Sequence, residues 1–208
     1  MRKLILISCI ALSFSGALKA QTLTKGNQLF TLSYGVGSFA KFQYLIGGQS
    51  NFSIKGIGQL NAKFEVMKSN YFSLGIGVNY LNYQANWVNK DYLMTYTSVG
   101  NYTTLIINKY RRDYNSVSVL LRGNFYFVNK PSFSVFMGAG MGYKYTASYA
   151  YTNGKYSGDS NYRLNKILPV GAEASMGTRF AIGKQLGGLM EVGLTKSLIQ
   201  VGLYYRSK

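Results

Sequence analysis

The 208-residue sequence has no histidine, one cysteine, two prolines and only six acidic side chains. Each scarcity removes a class of chemistry. Without histidine, the usual general base of hydrolytic and acyl-transfer sites cannot be assembled. A Ser–Lys or carboxylate mechanism stays open on residue types, yet no clustered candidates stand outside the positions assigned below to the interior. A non-enzymatic protein with no catalytic residues is therefore expected. Zinc and copper would lack their usual imidazole and thiolate ligands. Asp91, Asp113 and Asp159 are too scattered for a calcium loop. No metal site and no cofactor is expected.

Long apolar runs are also missing beyond the first twenty residues, so no segment offers the roughly 20 consecutive apolar residues of a membrane helix. The first twenty form a different pattern. Arg2 and Lys3 precede an apolar stretch from Leu4 to Phe14, and Ala17-Leu18-Lys19-Ala20 gives a small-residue end before Gln21. Residues 1–20 are expected to be a cleaved secretory signal, leaving one domain over 21–208. Cys9 lies inside this segment, and a lipoprotein reading of Leu6-Ile7-Ser8-Cys9 is the alternative. On the first reading the mature chain has no disulfide, and its core must be held by other means.

Abundant in this sequence are glycine, 24 residues, and tyrosine, 19, in a chain 47% hydrophobic and only 14% charged. That balance suits a barrel of short strands. Alternation of period two recurs along the chain. The last strand sets the pattern: Ile199, Val201, Leu203 and Tyr205 oppose Gln200, Gly202, Tyr204 and Arg206. Seven more follow it, over Gln28–Ser38, Ser53–Met67, Tyr71–Tyr83, Asp113–Phe127, Phe133–Ala147, from near Pro169 through Phe180, and around Met190–Leu194. In the second strand Lys55, Gln59, Asn61, Lys63 and Glu65 form the polar face, with Ile57 the exception. The expected fold is all-β: an eight-stranded antiparallel up-and-down transmembrane β-barrel.

Tight turns are expected at Lys68-Ser69-Asn70, Asn129-Lys130-Pro131 and Gly183-Lys184, and longer loops near 39–52, 84–112 and 148–168. In the longest, Thr103 to Ile107 is β-prone and Val99-Gly100-Asn101 suits a hairpin tip; Asn153-Gly154 is a second hairpin signal. Short turns on one side and long loops on the other place both termini in the periplasm. A soluble eight-stranded barrel carries the same alternation turned inside out. The membrane reading rests on a glycine- and serine-rich polar face, a charge-free apolar face, and two aromatic rings. Phe72, Phe125, Phe127, Phe133, Phe180 and Tyr205 form the ring at the turn end, and Tyr80, Tyr143 and Tyr145 the ring at the loop end.

With these features, the chain resembles the small eight-stranded outer-membrane barrels of Gram-negative bacteria, the OmpA transmembrane-domain and opacity-type group. The resemblance covers the whole mature chain and is carried by pattern, not by a fixed motif. Its aromatic-ended last strand is similar to the family's insertion signal, although this chain continues past Tyr205 to Arg206-Ser207-Lys208. The resemblance implies a monomeric, porin-like cell-surface protein. It also implies a lipid-modifying or proteolytic option, which the absence of histidine closes.

Parity places Lys55, Lys63, Glu65, Arg122, Lys144, Glu173, Arg179, Glu191 and Arg206 in the lumen. An eight-stranded barrel is filled by its own side chains, so these charges must pair or draw in water. They are expected to form an ion-pair plug, with Glu191 paired to Arg179 or Arg206. The alternative is a narrow gated pore for ions or small solutes.

The net charge of +17 suggests nucleic acid first, but the cations are spread over lumen, turns and loops, and no nucleic-acid partner is expected. Lys109, Arg111 and Arg112, with Lys41, Lys90, Lys155, Arg163 and Lys166 on the other loops, are positioned for outer-membrane lipid and lipopolysaccharide phosphates. Tyr92, Tyr96, Tyr102, Tyr149, Tyr151, Tyr156, Tyr162 and Trp87 either pack the loops together or offer contact area to an extracellular ligand. An envelope-structural or surface-binding role is expected.

Overall fold

The computed structural model describes residues 22–38, 52–97, 100–159, 169–194 and 197–207. The expected signal segment lies outside them, as do Lys41, Tyr162, Arg163 and Lys166. Nine strands follow in order: β1 (Gln28–Ser38), β2 (Ser53–Met67), β3 (Phe72–Thr97), β4 (Gly100–Asn129), β5 (Phe133–Thr152), β6 (Lys155–Asp159), β7 (Val170–Ala181), β8 (Leu186–Leu194) and β9 (Ser197–Ser207).

Around the ring each strand pairs antiparallel with two neighbours, β5 with β4 and β7, and β9 with β8 and β1, and β5 carries β6 as well. The sheet therefore closes on itself as an eight-stranded antiparallel barrel, and β6 is a short addition to β5. Closure runs along the register Leu29↔Arg206 to Val36↔Ile199. The three expected tight turns join β2 to β3, β4 to β5 and β7 to β8, each closed by backbone hydrogen bonds near 3 Å such as Lys130 N–H to the Phe133 carbonyl at 2.9 Å.

Alternation decides what each strand buries. In β1, Leu29, Thr31 and Ser33 turn inward while Phe30, Leu32 and Tyr34 face out. The outward residues form an apolar belt, with Leu121 and Met141 both 66% exposed and Leu194 72% exposed. Glycine makes room inside. A Cβ on Gly177 would sit 2.6 Å from Phe136 Cζ and 2.7 Å from Glu191 Cγ, so no larger residue fits that wall.

Two features depart from the sequence reading. First, 84–112 is not a loop. β3 and β4 pair residue for residue from Phe72↔Phe125 up to Thr97↔Gly100, with Thr103 to Ile107 lying against Met94 to Lys90. Leu81 to Thr97 adds about 55 Å of strand above the belt. Cross-strand ring pairs hold this ribbon: Tyr83 on Tyr114 at 4.9 Å and Trp87 on Tyr110 at 5.5 Å, both near parallel. β5 extends likewise to Thr152, turns through Asn153 (φ 51°) and Gly154 (φ 79°), and returns as β6.

Second, β2 carries a bulge. Its register against β3 steps from Lys55↔Gln84 to Gly58↔Asn82, one residue extra on β2, with Gly56 at φ 142° and Gly58 at φ 82°. Above the bulge every side chain changes sides. Ile54 turns in toward Ala85, Ile57 is exposed, and Lys55 points outward, not into the lumen.

Candidate functional site

The lumen is filled in layers. At the turn end, Leu23, Leu29, Met67, Tyr126, Phe136, Leu189 and Tyr204 form a buried apolar plug. Arg179 lies against it, its guanidinium 4.5 Å from the Phe136 ring centre and bonded to the Tyr126 hydroxyl. Its Nη2 donates to Glu65 Oε1 at 2.7 Å, and Glu65 Oε2 accepts from Ser73 Oγ at 3.1 Å. One layer up, Lys63 Nζ donates to Glu191 Oε2 at 2.6 Å and to Gln200 Oε1 at 3.3 Å. Arg122 spans the same level. Nη1 meets Glu173 Oε1 at 2.6 Å, Nη2 donates to Ser175 Oγ at 2.7 Å and sits 3.3 Å from Glu191 Oε1, and Nε donates to Asn124 Oδ1 at 2.8 Å. Above come Ser33, Gln59, Asn61, Asn79 and Ser118, and then a second apolar cluster of Leu81, Tyr83 and Ala85.

Three buried carboxylates thus meet three buried cations, and the lumen charge within these layers balances. Desolvating an ion costs several kcal/mol, so each of these groups requires its partner and the auxiliary amide and hydroxyl bonds. The structure brings together Lys63, Glu65, Arg122, Glu173, Arg179 and Glu191. It does not bring in Lys55, which the bulge turns out. Lys144 is half-buried higher on the inner wall, where its backbone N–H holds the Pro169 carbonyl at 2.7 Å, and its ammonium joins none of these pairs. Arg206 is buried at the turn end and donates to the Lys184 carbonyl. Glu191 takes Lys63 and Arg122 instead of Arg179 or Arg206: Lys63 on β2 and Arg122 on β4 reach it across the bore, while Arg179 on the neighbouring β7 turns to Glu65.

The ribbon carries the second group. Lys109 and Arg111 face outward, whereas Arg112 falls on the inner side opposite Ala85, with its Nε buried. The three cations therefore do not share a face, as strand alternation requires. Asp113 accepts from Arg111 Nε at 2.9 Å and Nη2 at 2.7 Å, and that bonding raises the Arg111 pKa further above its already high ordinary value. Arg111 also lies 5.2 Å from the Tyr151 ring centre, and Tyr151 and Tyr156 meet edge to face. Asn153 staples the β5–β6 turn to β4, accepting from Lys109 N–H at 2.9 Å and donating its own N–H to the Lys109 carbonyl at 2.8 Å. A hollow of about 350 Å³ lies among Asn86, Val88, Lys109, Arg111, Tyr151 and Gly154. Tyr92, Tyr149 and Tyr156 are exposed, while Trp87 is engaged with Tyr110. The side chains of Tyr96 and Tyr102 lie outside the described residues. Tyr83, Tyr110 and Tyr114 carry the ribbon's cross-strand packing, which the sequence bounds of Tyr71–Tyr83 and Asp113–Phe127 do not reveal; period-two alternation running past Tyr83 is the signal for it.

Among the described residues no group of three or more histidine, cysteine, aspartate or glutamate side chains could hold a metal ion.

No protein-family model matches the sequence, and no curated protein does. Among solved structures, the chain is similar to Ail, the attachment invasion locus protein of Yersinia pestis, at 12% identity and a TM-score of 0.42, covering 88% of this chain and all of that one. A second structure of Ail, in complex with the heparin analogue sucrose octasulfate, aligns at 13% identity and a TM-score of 0.38 over the same shares. The strand pairing itself establishes the eight-stranded barrel fold of this chain.

Proposed function

We propose that this chain is an integral outer-membrane barrel that acts by binding and not by catalysis, with its ribbon outside the cell and both termini in the periplasm. One observation carries the reading: between the two aromatic rings, the described outward positions of all eight barrel strands hold no charged side chain, while the charges sit in the bore. Water-facing surfaces do not leave an uninterrupted apolar girdle of this extent. A lysine or arginine there would cost about 2–4 kcal/mol at the bilayer midplane. The filled lumen favours an anchor over a conduit. Surface contact then falls to the ribbon, where outward Lys109 and Arg111 meet lipopolysaccharide phosphates and the exposed tyrosines offer area to an extracellular ligand.

The test is extraction followed by surface proteolysis. The chain should require detergent to stay folded, and protease added to intact cells should cut within 84–112 but spare the Lys130 turn. A folded monomer in plain buffer would overturn the membrane reading, and cleavage at Lys130 the orientation.

A further inference from the structure

The belt is not uniform. Around the seam where β1 meets β9 it has a hollow of about 740 Å³. The cause is a small residue among large ones: the register places Ala62 between Leu32 and Val78. Phe30 and Tyr205 rise on the turn side, and Tyr34 and Tyr80 on the loop side. Above the loop-side rim stands Lys55. It faces outward solely because of the β2 bulge, beside Gln84, four residues along β3 from Tyr80, or about 13 Å. A hydrocarbon hollow capped, among the described residues, by an outward cation at that distance has the two-part chemistry of an acylated phosphate.

We infer that this hollow and Lys55 together form a binding site for a phosphate-bearing acyl lipid, its chain lying against Ala62 and Leu32 and its phosphate at the Lys55 ammonium. The site rests on the reading that the belt meets hydrocarbon. A second copy of the chain is the other occupant to consider, and geometry disfavours it. Two barrels inserted in the same orientation would meet about an axis parallel to their own, hollow to hollow and Lys55 to Lys55. That contact leaves a void and opposes like charges. A lipid fills the concavity and neutralises the cation.

The experiment is native mass spectrometry of the full barrel in detergent, challenged with equal amounts of phosphatidylglycerol and diacylglycerol of matched chains. One phosphatidylglycerol should be retained about fivefold over diacylglycerol, the preference expected of a single interfacial lysine. Lys55→Gln should bring the two to parity. Ala62→Phe, or the milder Ala62→Leu if the first does not fold, should lower retention of both, whereas Ala139→Phe on the opposite wall should change neither. Equal retention of the two lipids by the unmodified barrel, or undiminished retention after Ala62 is enlarged, would overturn the site. A concentration-dependent dimer abolished by the Ala62 variants would assign the hollow to a second copy and overturn it as well. Failure of the underlying membrane reading shows earlier and separately, as a barrel that stays monomeric without detergent.

Discussion

Asn129 holds Leu23 at both ends of its amide: Oδ1 accepts the Leu23 N–H at 3.2 Å and Nδ2 donates to the Leu23 carbonyl at 2.7 Å, across 106 residues of sequence. The same Nδ2 reaches the Asn70 carbonyl at 2.7 Å, tying two turns to the segment that precedes β1. Leu23 is thereby seated in the turn-end plug. Asn129→Ala should lower stability by about 1–2 kcal/mol, the loss of two part-buried hydrogen bonds. Amide exchange at Leu23 should quicken while that of the β1 amides stays slow; slow exchange at Leu23 in the variant would refute the clamp.

The Lys63–Glu191–Arg122 contact predicts a large effect from a small change. Glu191→Gln keeps the shape but leaves the buried Lys63 without its carboxylate, while Arg122 keeps Glu173, and should destabilise the barrel by about 3–5 kcal/mol in urea unfolding from lipid vesicles. Lys155→Gln, at an exposed position, is the control. The double variant Lys63→Met/Glu191→Leu should recover part of the loss, since a paired removal leaves Arg122 with Glu173. Equal stability of Glu191→Gln and the control would remove the network from any account of the fold.

The bulge can be tested at Gly56. A Cβ there would come within 2.6 Å of the Asn82 carbonyl oxygen and 2.7 Å of Tyr83 Cα, on a backbone at φ 142°. Gly56→Ala should cost about 1–3 kcal/mol. Gly183→Ala, where a Cβ meets open space, should be silent in the same measurement.

Planar bilayers test the closed bore. The plug of Leu23, Tyr126, Phe136 and Tyr204, backed by paired ions, should give no steady single-channel steps. Reproducible conductance that Arg122→Ala alters would favour the pore.

The ribbon makes a prediction by contrast. Lys109→Gln should weaken lipopolysaccharide retention about fivefold at low salt, and less as salt rises. Arg112→Gln, on the inner side, should not. Equal effects from both would mean the two side chains share a ligand and the alternation is misread.

Parity and turn chemistry were legible in the residues themselves. Strands β1 and β2 fall at their expected bounds, Asn153-Gly154 makes its turn, and the aromatic rings stand at the ends of the belt. Local pattern does not carry two other things. A single extra residue at Gly56–Gly58 reverses every side chain beyond it, so Lys55 looks lumenal until its register is known. Partners across the bore depend on how the strands are staggered when the sheet closes, and that stagger is global. Glu191 could be placed inside from β8 alone, but not opposite Lys63. In the ribbon, Thr103 to Ile107 has strand character in the sequence, but the ring pairs at Tyr83–Tyr114 and Trp87–Tyr110 explain why pairing persists so far from the core.

The β1–β9 seam constrains how such a protein can be made. The opening segment must wait, with half its peptide groups unsatisfied, until the very last segment arrives. A chain halted before Ser197 would keep two raw edges, on β1 and on β8, which the proposed membrane setting could not satisfy. Closure therefore depends on β9 alone: without it the backbone N–H and C=O groups along one side of both β1 and β8 have no partner strand.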